Sequence, residues 1–163
     1  MPLPLHAETA VERRVLLGTP SMRRLFALTA KADAWMLGIG GLDRDAVLLR
    51  DGFVSRRELL DARRAGGVGE LAGHVFDANG RILDCALNAR VMTVPPEVGT
   101  PRPRICVAHG HDKVVPLRAA LTGRLVNGLV TDEITARAVL APNASSPARR
   151  SQSHPGRKGK RLT

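Results

Sequence analysis

The residues best placed to do chemistry sit in one short turn, His109-Gly110-His111-Asp112-Lys113. A glycine, the start of a helix and a cation coincide there. Unpaired N–H groups at a helix start, with a glycine that lets the backbone approach a ligand, favour an anion. A lysine in that first turn opposes the helix dipole, at a cost of roughly a few tenths of a kcal/mol unless an anion is bound nearby. The residues leave two readings open: a phosphate or carboxylate site, or a solvent-facing lysine tolerated at a helix end. Glu70, just after Gly66-Gly67-Val68-Gly69, either faces the same cleft or is an exposed strand-end acid.

Other chemistries find no support in the spacing. His109 and His111 form an i, i+2 pair, but no Cys, Asp or Glu cluster stands at ligand spacing, so no metal is expected. Cys85 and Cys106 are isolated and read as reduced, buried thiols. The sequence has no Ser-His-Asp order, nucleophile elbow, Walker loop or full GxGxxG, so neither a catalytic residue nor a cofactor is expected. Asn88 and Arg90 are expected to tie a loop through backbone hydrogen bonds.

The elements that must position these residues follow from pattern. At 163 residues the chain makes about one domain. The four aromatic residues, Phe26, Trp35, Phe53 and Phe76, leave few platforms for stacking bases, and the core must be aliphatic. Pro20 and Ser21 open a helix of about ten residues with Met22, Leu25, Phe26 and Leu28 at helical spacing. Residues 34–37 read as a buried strand leaving through Gly38-Ile39-Gly40-Gly41, and 43–52 as a loop. Ser55 and Glu58 form a capping box that starts a helix ending at Gly66-Gly67. Residues 69–76 and 81–87 flank Asn79-Gly80 as a hairpin, with another short strand at 91–94. A strand at 104–108 passes through the His109 turn into a helix reaching Leu121, whose start is fixed near Asp112 or Lys113 because Pro116 fits only a first turn. A strand at 125–130, a Thr131-Asp132 cap and a helix over 133–140 complete an α/β order with a parallel sheet.

Charge divides the chain further. Of the 25 basic residues, six fall in 141–163, which holds no acid, leaving 19 basic against 15 acidic residues in the rest. Residues 141–163 read as a basic, disordered tail, either a solvated terminus or a contact for nucleic acid. No secretory signal and no run of about 18 apolar residues is present, so a soluble, cytoplasmic protein without membrane contact is expected.

Several ordered segments resemble the effector-binding domain of the SorC family of sugar-responsive bacterial transcription regulators. They are GIGGLD (38–43), LLRDGFVS (48–55), VGELAGHVFDANGR (68–81), LNARVM (87–92), and AHGHDKVVPLRAAL with LVNGLVTDEITARAVL (within 108–140). The resemblance spans roughly residues 4–140. It implies an open, mostly parallel sheet with flanking helices and a small antiparallel hairpin, similar to sugar-phosphate isomerases and CoA transferases, but used for sensing rather than catalysis. By position it assigns Lys113 to a phosphate, within a GGxxK turn that keeps Gly110 and has His109 at its first glycine. Glu70 receives sugar hydroxyls, Arg50 is a basic residue near the ligand, and Gly38 and Gly40 form the glycine turn beside the pocket. The family's helix-turn-helix domain and the first part of its effector domain are missing from the sequence. The resemblance therefore implies a truncated sensor domain over 1–140, with a sheet edge open to self-association and DNA contact only through a missing domain or non-specifically through the tail. The alternative is a small nucleic-acid-associated protein acting through that tail.

Overall fold

A computed structural model describes residues 4–142. The basic tail falls outside the described residues from 143 onward. Two helices lead the chain. Thr9 caps α1 (Ala10–Leu17) by accepting from the Glu12 N–H at 3.0 Å. Thr19 caps α2 (Pro20–Thr29), with Pro20 in its first turn as expected. α1 carries no apolar pattern that marks it, because Val11 and Val15 are exposed and the helix buries no residue fully.

The strands form two three-stranded sheets. In the first, β1 (Trp35–Leu37), β5 (Arg104–Val107) and β6 (Gly128–Val130) run parallel with β5 in the middle. In the second, β2 (Ile39–Gly40), β3 (Gly67–Leu71) and β4 (His74–Asp77) run antiparallel with β3 in the middle. Gly38 alone separates β1 from β2, so the chain leaves one sheet and enters the other in a single residue. The α/β class with a parallel sheet and an antiparallel excursion is as expected, but the excursion is a full sheet.

Several local readings are corrected. The hairpin turn is Ala72-Gly73, at φ 51° and 86°, because a non-glycine residue adopts the left-handed conformation there and leaves no sequence mark. Asn79-Gly80 does turn the chain, but only a single bridge between Phe76 and Ile82 follows in place of a strand. Residues 91–94 contribute one bridge, Val91 to His6, and the 125–130 strand begins only at Gly128, since Leu125 and Val126 are buried in the core ahead of it. Within the expected 43–52 loop lies a short helix, α3 (Val47–Arg50).

The remaining boundaries are as read. Ser55 and Glu58 close a capping box at the start of α4 (Arg56–Arg64). A 3-10 turn (His111–Lys113) leads into α5 (Val114–Thr122), with Pro116 in the first turn. Asp132 caps α6 (Glu133–Leu140) by accepting from the Thr135 N–H at 2.8 Å.

Two of the three hydrophobic clusters among the described residues hold these layers. Leu37, Cys106 and Leu129 on one face of the parallel sheet pack with Leu117, Ala120, Leu125 and Val126. Leu48, Val54, Leu59, Ala62 and Val75 pack α3 and α4 against the hairpin. Phe76 is the one aromatic among the largest fully buried side chains, as an aliphatic core requires. Cys106 is buried, and burial pushes its thiol up to about 11; Cys85 is only half-buried, and both thiols are free. The other face of the parallel sheet is uncovered, with Met36, Val107 and Val130 exposed. Among the described residues no helix is long and apolar enough to cross a membrane.

His74 sits on β4 at 3% exposure. Burial, with Arg13 and His6 nearby, lowers its imidazole pKa from 6.5 to about 4, against the opposing pull of the Thr93 backbone carbonyl as acceptor. The unfolded chain therefore takes up a proton near pH 6.5 that the folded chain refuses until about pH 4. The stability held above pH 6.5 is lost as pH falls through this window, at up to about 1.4 kcal/mol per pH unit. Urea midpoints measured across the window should fall in the wild type, and His74→Gln should flatten the fall.

Candidate ligand-binding site

Parallel strands present their carboxyl ends on one side, and three turns named from the sequence occupy that side. Leu37, Cys106 and Leu129 are in register, so Gly38, the Ala108-His109-Gly110 turn and Thr131-Asp132 all follow the same strand level. In open α/β sheets ligands bind beyond this edge.

The antiparallel sheet brings Glu70 to the same region. Gly40 pairs in register with Glu70, and a Cβ on Gly40 would collide with the Glu70 carboxyl, so only glycine lets that group lie across β2. The Gly73 N–H donates to Glu70 Oε2 at 2.7 Å. Burial raises the Glu70 pKa above the usual carboxylate value, while the Gly73 hydrogen bond and the charge of Lys113 oppose the rise without cancelling it. Gly41, next along, faces Asp43 and the Asp112 carbonyl, which links the end of β2 to the 3-10 turn.

Lys113 closes that turn and precedes α5. Its Nζ lies 2.7 Å from Asp112 Oδ2, and its side chain is 21% exposed. The hydrogen bond from Lys113 holds the Asp112 carboxyl below its ordinary value. α2, α4 and α6 each begin with a side-chain cap, whereas α5 has none and is entered from the 3-10 turn, with the Val114 N–H donating to the His111 carbonyl and Pro116 carrying no N–H. Gly110, at φ 110°, donates its N–H to Thr135 Oγ1 at 2.9 Å. Thr135 is buried and donates in turn to Asp132 Oδ2 at 2.9 Å, tying the turn to the start of α6. The Thr135 backbone hydrogen bond leads the interactions that hold Asp132 below its usual value. His109 and His111 are exposed, as the surface-loop reading expects.

The structure thus gathers Gly40, Glu70, Gly110 and Lys113. Gly38 is at the same edge with open space around it. Arg50 is at the exposed end of α3, where its Nε is 3.0 Å from Asp51 Oδ1. Sequence reasoning missed Asp112 as the partner of Lys113, although a lysine next to an aspartate at a helix start is the available signal. It also missed Thr135, whose place three residues after the Asp132 cap marks it. A hollow of about 620 Å³, lined by Phe26, Trp35, Phe53 and Met92, has none of these groups in its lining.

Comparison with known proteins gives the chain its relatives. Residues 1–141 match the family model described as "Putative sugar-binding domain". The erythritol catabolism regulatory protein EryD of Brucella abortus is 37% identical over 144 residues, covering 88% of this chain and 46% of EryD. Transcriptional regulator LsrR of Enterobacter sp. is 39% identical over 145 residues, covering 86% of this chain and 45% of LsrR. The chain thus spans about half the length of these curated relatives. Among solved structures, the full-length sorbitol operon regulator SorC from Klebsiella pneumoniae superimposes with a TM-score of 0.77 at 22% identity, over 86% of this chain and 46% of that one. A DeoR family transcriptional regulator from Listeria monocytogenes gives 0.80 at 19% identity, over 85% and 56%. At those identities the structures establish the fold, and the family match establishes kinship: the chain belongs to the sugar-binding domain family of SorC-type bacterial transcription regulators.

Proposed function

We propose that the chain senses a sugar phosphate at the carboxyl edge of its parallel sheet. The observation that supports this reading is the meeting of Lys113, the uncapped start of α5 and Glu70 at that edge. An incoming phosphate replaces Asp112 as the partner of Lys113. Glu70 accepts from sugar hydroxyls, and Gly40 and Gly110 let the backbone come close. Gly38 lines the rim of this pocket, and Arg50 adds a cation once it releases Asp51.

The role is sensing, not catalysis. The relatives are transcription regulators, which supports this sensing role. Residues 1–140 form the sensing unit, and 141–163 a separate basic segment. The ligand acts on DNA through the DNA-reading part of a complete regulator, in the cytoplasm. Parallel sheets are ordinarily covered on both faces, so the exposed Met36, Val107 and Val130 support self-association through that face.

Thermal unfolding with a panel of sugar phosphates at millimolar concentration tests the assignment. One compound should raise the transition, by RT ln(1 + [L]/Kd), and Lys113→Ala should abolish that rise. An equal rise in Lys113→Ala overturns the phosphate assignment. Glu70 gives a second check through pH. Its raised pKa means that ionisation costs stability as pH climbs through the folded value. Glu70→Gln should therefore be at least as stable as wild type at pH 7, should lose this gain below about pH 4.5, and should bind the ligand more weakly.

A further inference from the structure

A polar hollow of about 310 Å³ lies between the N-terminal segment, the start of α4 and residue 90, sharing no residue with the strand-end site. Pro4, His6, Phe53, Ser55, Glu58 and Arg90 supply its working surface. His6 is 7% exposed, and neither ring nitrogen has a hydrogen-bond partner among the described residues. The Gly73 carbonyl acts on the ring without reaching hydrogen-bond geometry. Burial, with Arg90 beside it, keeps this imidazole neutral, so it offers one donor and one acceptor.

The other polar groups are already fixed in place. Arg90 Nη2 donates to Glu58 Oε1, and Arg90 Nη1 donates to the Ala7 carbonyl at 2.7 Å. Glu58 Oε2 accepts from the Ser55 N–H at 2.8 Å and from Ser55 Oγ at 2.7 Å. Burial alone would raise the Glu58 pKa, but the Ser55 bonds and Arg90 outweigh it and hold the carboxylate ionised. The pair is neutral as a whole. An anion entering here meets Glu58, and a cation meets Arg90, so the hollow selects against net charge. Groups that both donate and accept suit the imidazole, the ion pair and the serine together. Phe53, 42% exposed, adds an apolar wall for a C–H face.

We propose that this hollow is a second binding site, for a small neutral polyhydroxylated molecule, a polyol or an unphosphorylated sugar. Its volume is at the lower end of those that hold small ligands. Because the ligand hydroxyls satisfy buried polar groups, a deoxy analogue is rejected strongly.

The test is a titration of the ring-labelled full chain with meso-erythritol, ribitol and glucitol, followed by the assigned His6 imidazole signals in NMR spectra. One polyol should shift the His6 ring in a saturable way. Phe53→Ala, whose side chain is exposed enough to leave the fold intact, should weaken that binding about tenfold while the Lys113-dependent response to sugar phosphate persists. A His6 ring that stays still with all three polyols overturns the proposal, and so does unchanged affinity in Phe53→Ala. Because the readout is at His6, neither result depends on whether the strand-end site binds its phosphate.

Discussion

The Asn88 carboxamide accepts the Val75 N–H at 2.7 Å and donates to the carbonyls of Val75 and Leu83 at 2.8 and 2.7 Å. It shares the outer edge of β4 with residues 81–83, whose Leu83 N–H also donates to the Val75 carbonyl at 3.0 Å. Buried backbone groups left unpaired cost about 1 to 3 kcal/mol each, so the Val75 N–H depends on this side chain. The same segment then reaches in two further directions. Arg90 holds the Ala7 carbonyl and Glu58, and Val91 bridges His6 while its carbonyl accepts from Arg13 Nε at 2.5 Å. The hairpin, α4 and the N-terminal segment are therefore fixed relative to one another by residues 88–91. Glu70 depends on this arrangement, because its carboxyl is held by the turn of that hairpin.

Lys113 is placed by a different force. Its position at the start of α5 works against the helix dipole by roughly a few tenths of a kcal/mol. α5 buries Pro116, Leu117, Ala119 and Ala120, and full burial of a leucine alone is worth about 1.5 to 3 kcal/mol. Packing wins by an order of magnitude, so the helix stays and the lysine is carried to the strand edge. Asp112 absorbs the conflict through the 2.7 Å ion pair, which leaves the charge of the site balanced until another anion competes.

What was legible in the sequence is what local chemistry decides. The Ser55–Glu58 box, Pro20, the Pro116 limit on α5 and the Asp132 cap each act within one helical turn, and each lies where the pattern places it. The turns at His109 and at Thr131-Asp132 were legible for the same reason, since glycine and helix-start residues punctuate them, whereas the turn read at Gly38–Gly41 holds strand β2, created by pairing with β3. The Ala72-Gly73 turn was not, because an alanine at positive φ is imposed by pairing across β3 and β4 rather than by its own preference. The expected tie of Asn88 and Arg90 to backbone is seen, but its partners 13 and 83 residues away were beyond any local pattern. The burial of His6 is likewise a long-range result, created only when the N-terminal segment lies against Val91.

The strand edge also has a built-in route outward. Gly110 is hydrogen-bonded to Thr135, and Thr135 to Asp132, so the turn that carries Lys113 cannot shift without straining the cap of α6. A side-chain cap contributes about 1 kcal/mol, comparable to the differential binding energy a ligand needs to bias two nearby conformations. In the proposed reading, a phosphate that draws Lys113 from Asp112 would pull on this chain of bonds. By contrast, Arg50 and its exposed partner Asp51 form a surface pair, and exposed pairs contribute little, so Arg50 can be recruited or released at almost no cost. The site thus joins one rigid half, built from Gly40 and Glu70, to one half whose hydrogen bonds lead to the surface helix α6. A sensor requires that division, with a fixed surface to recognise the ligand and a coupled one to report it.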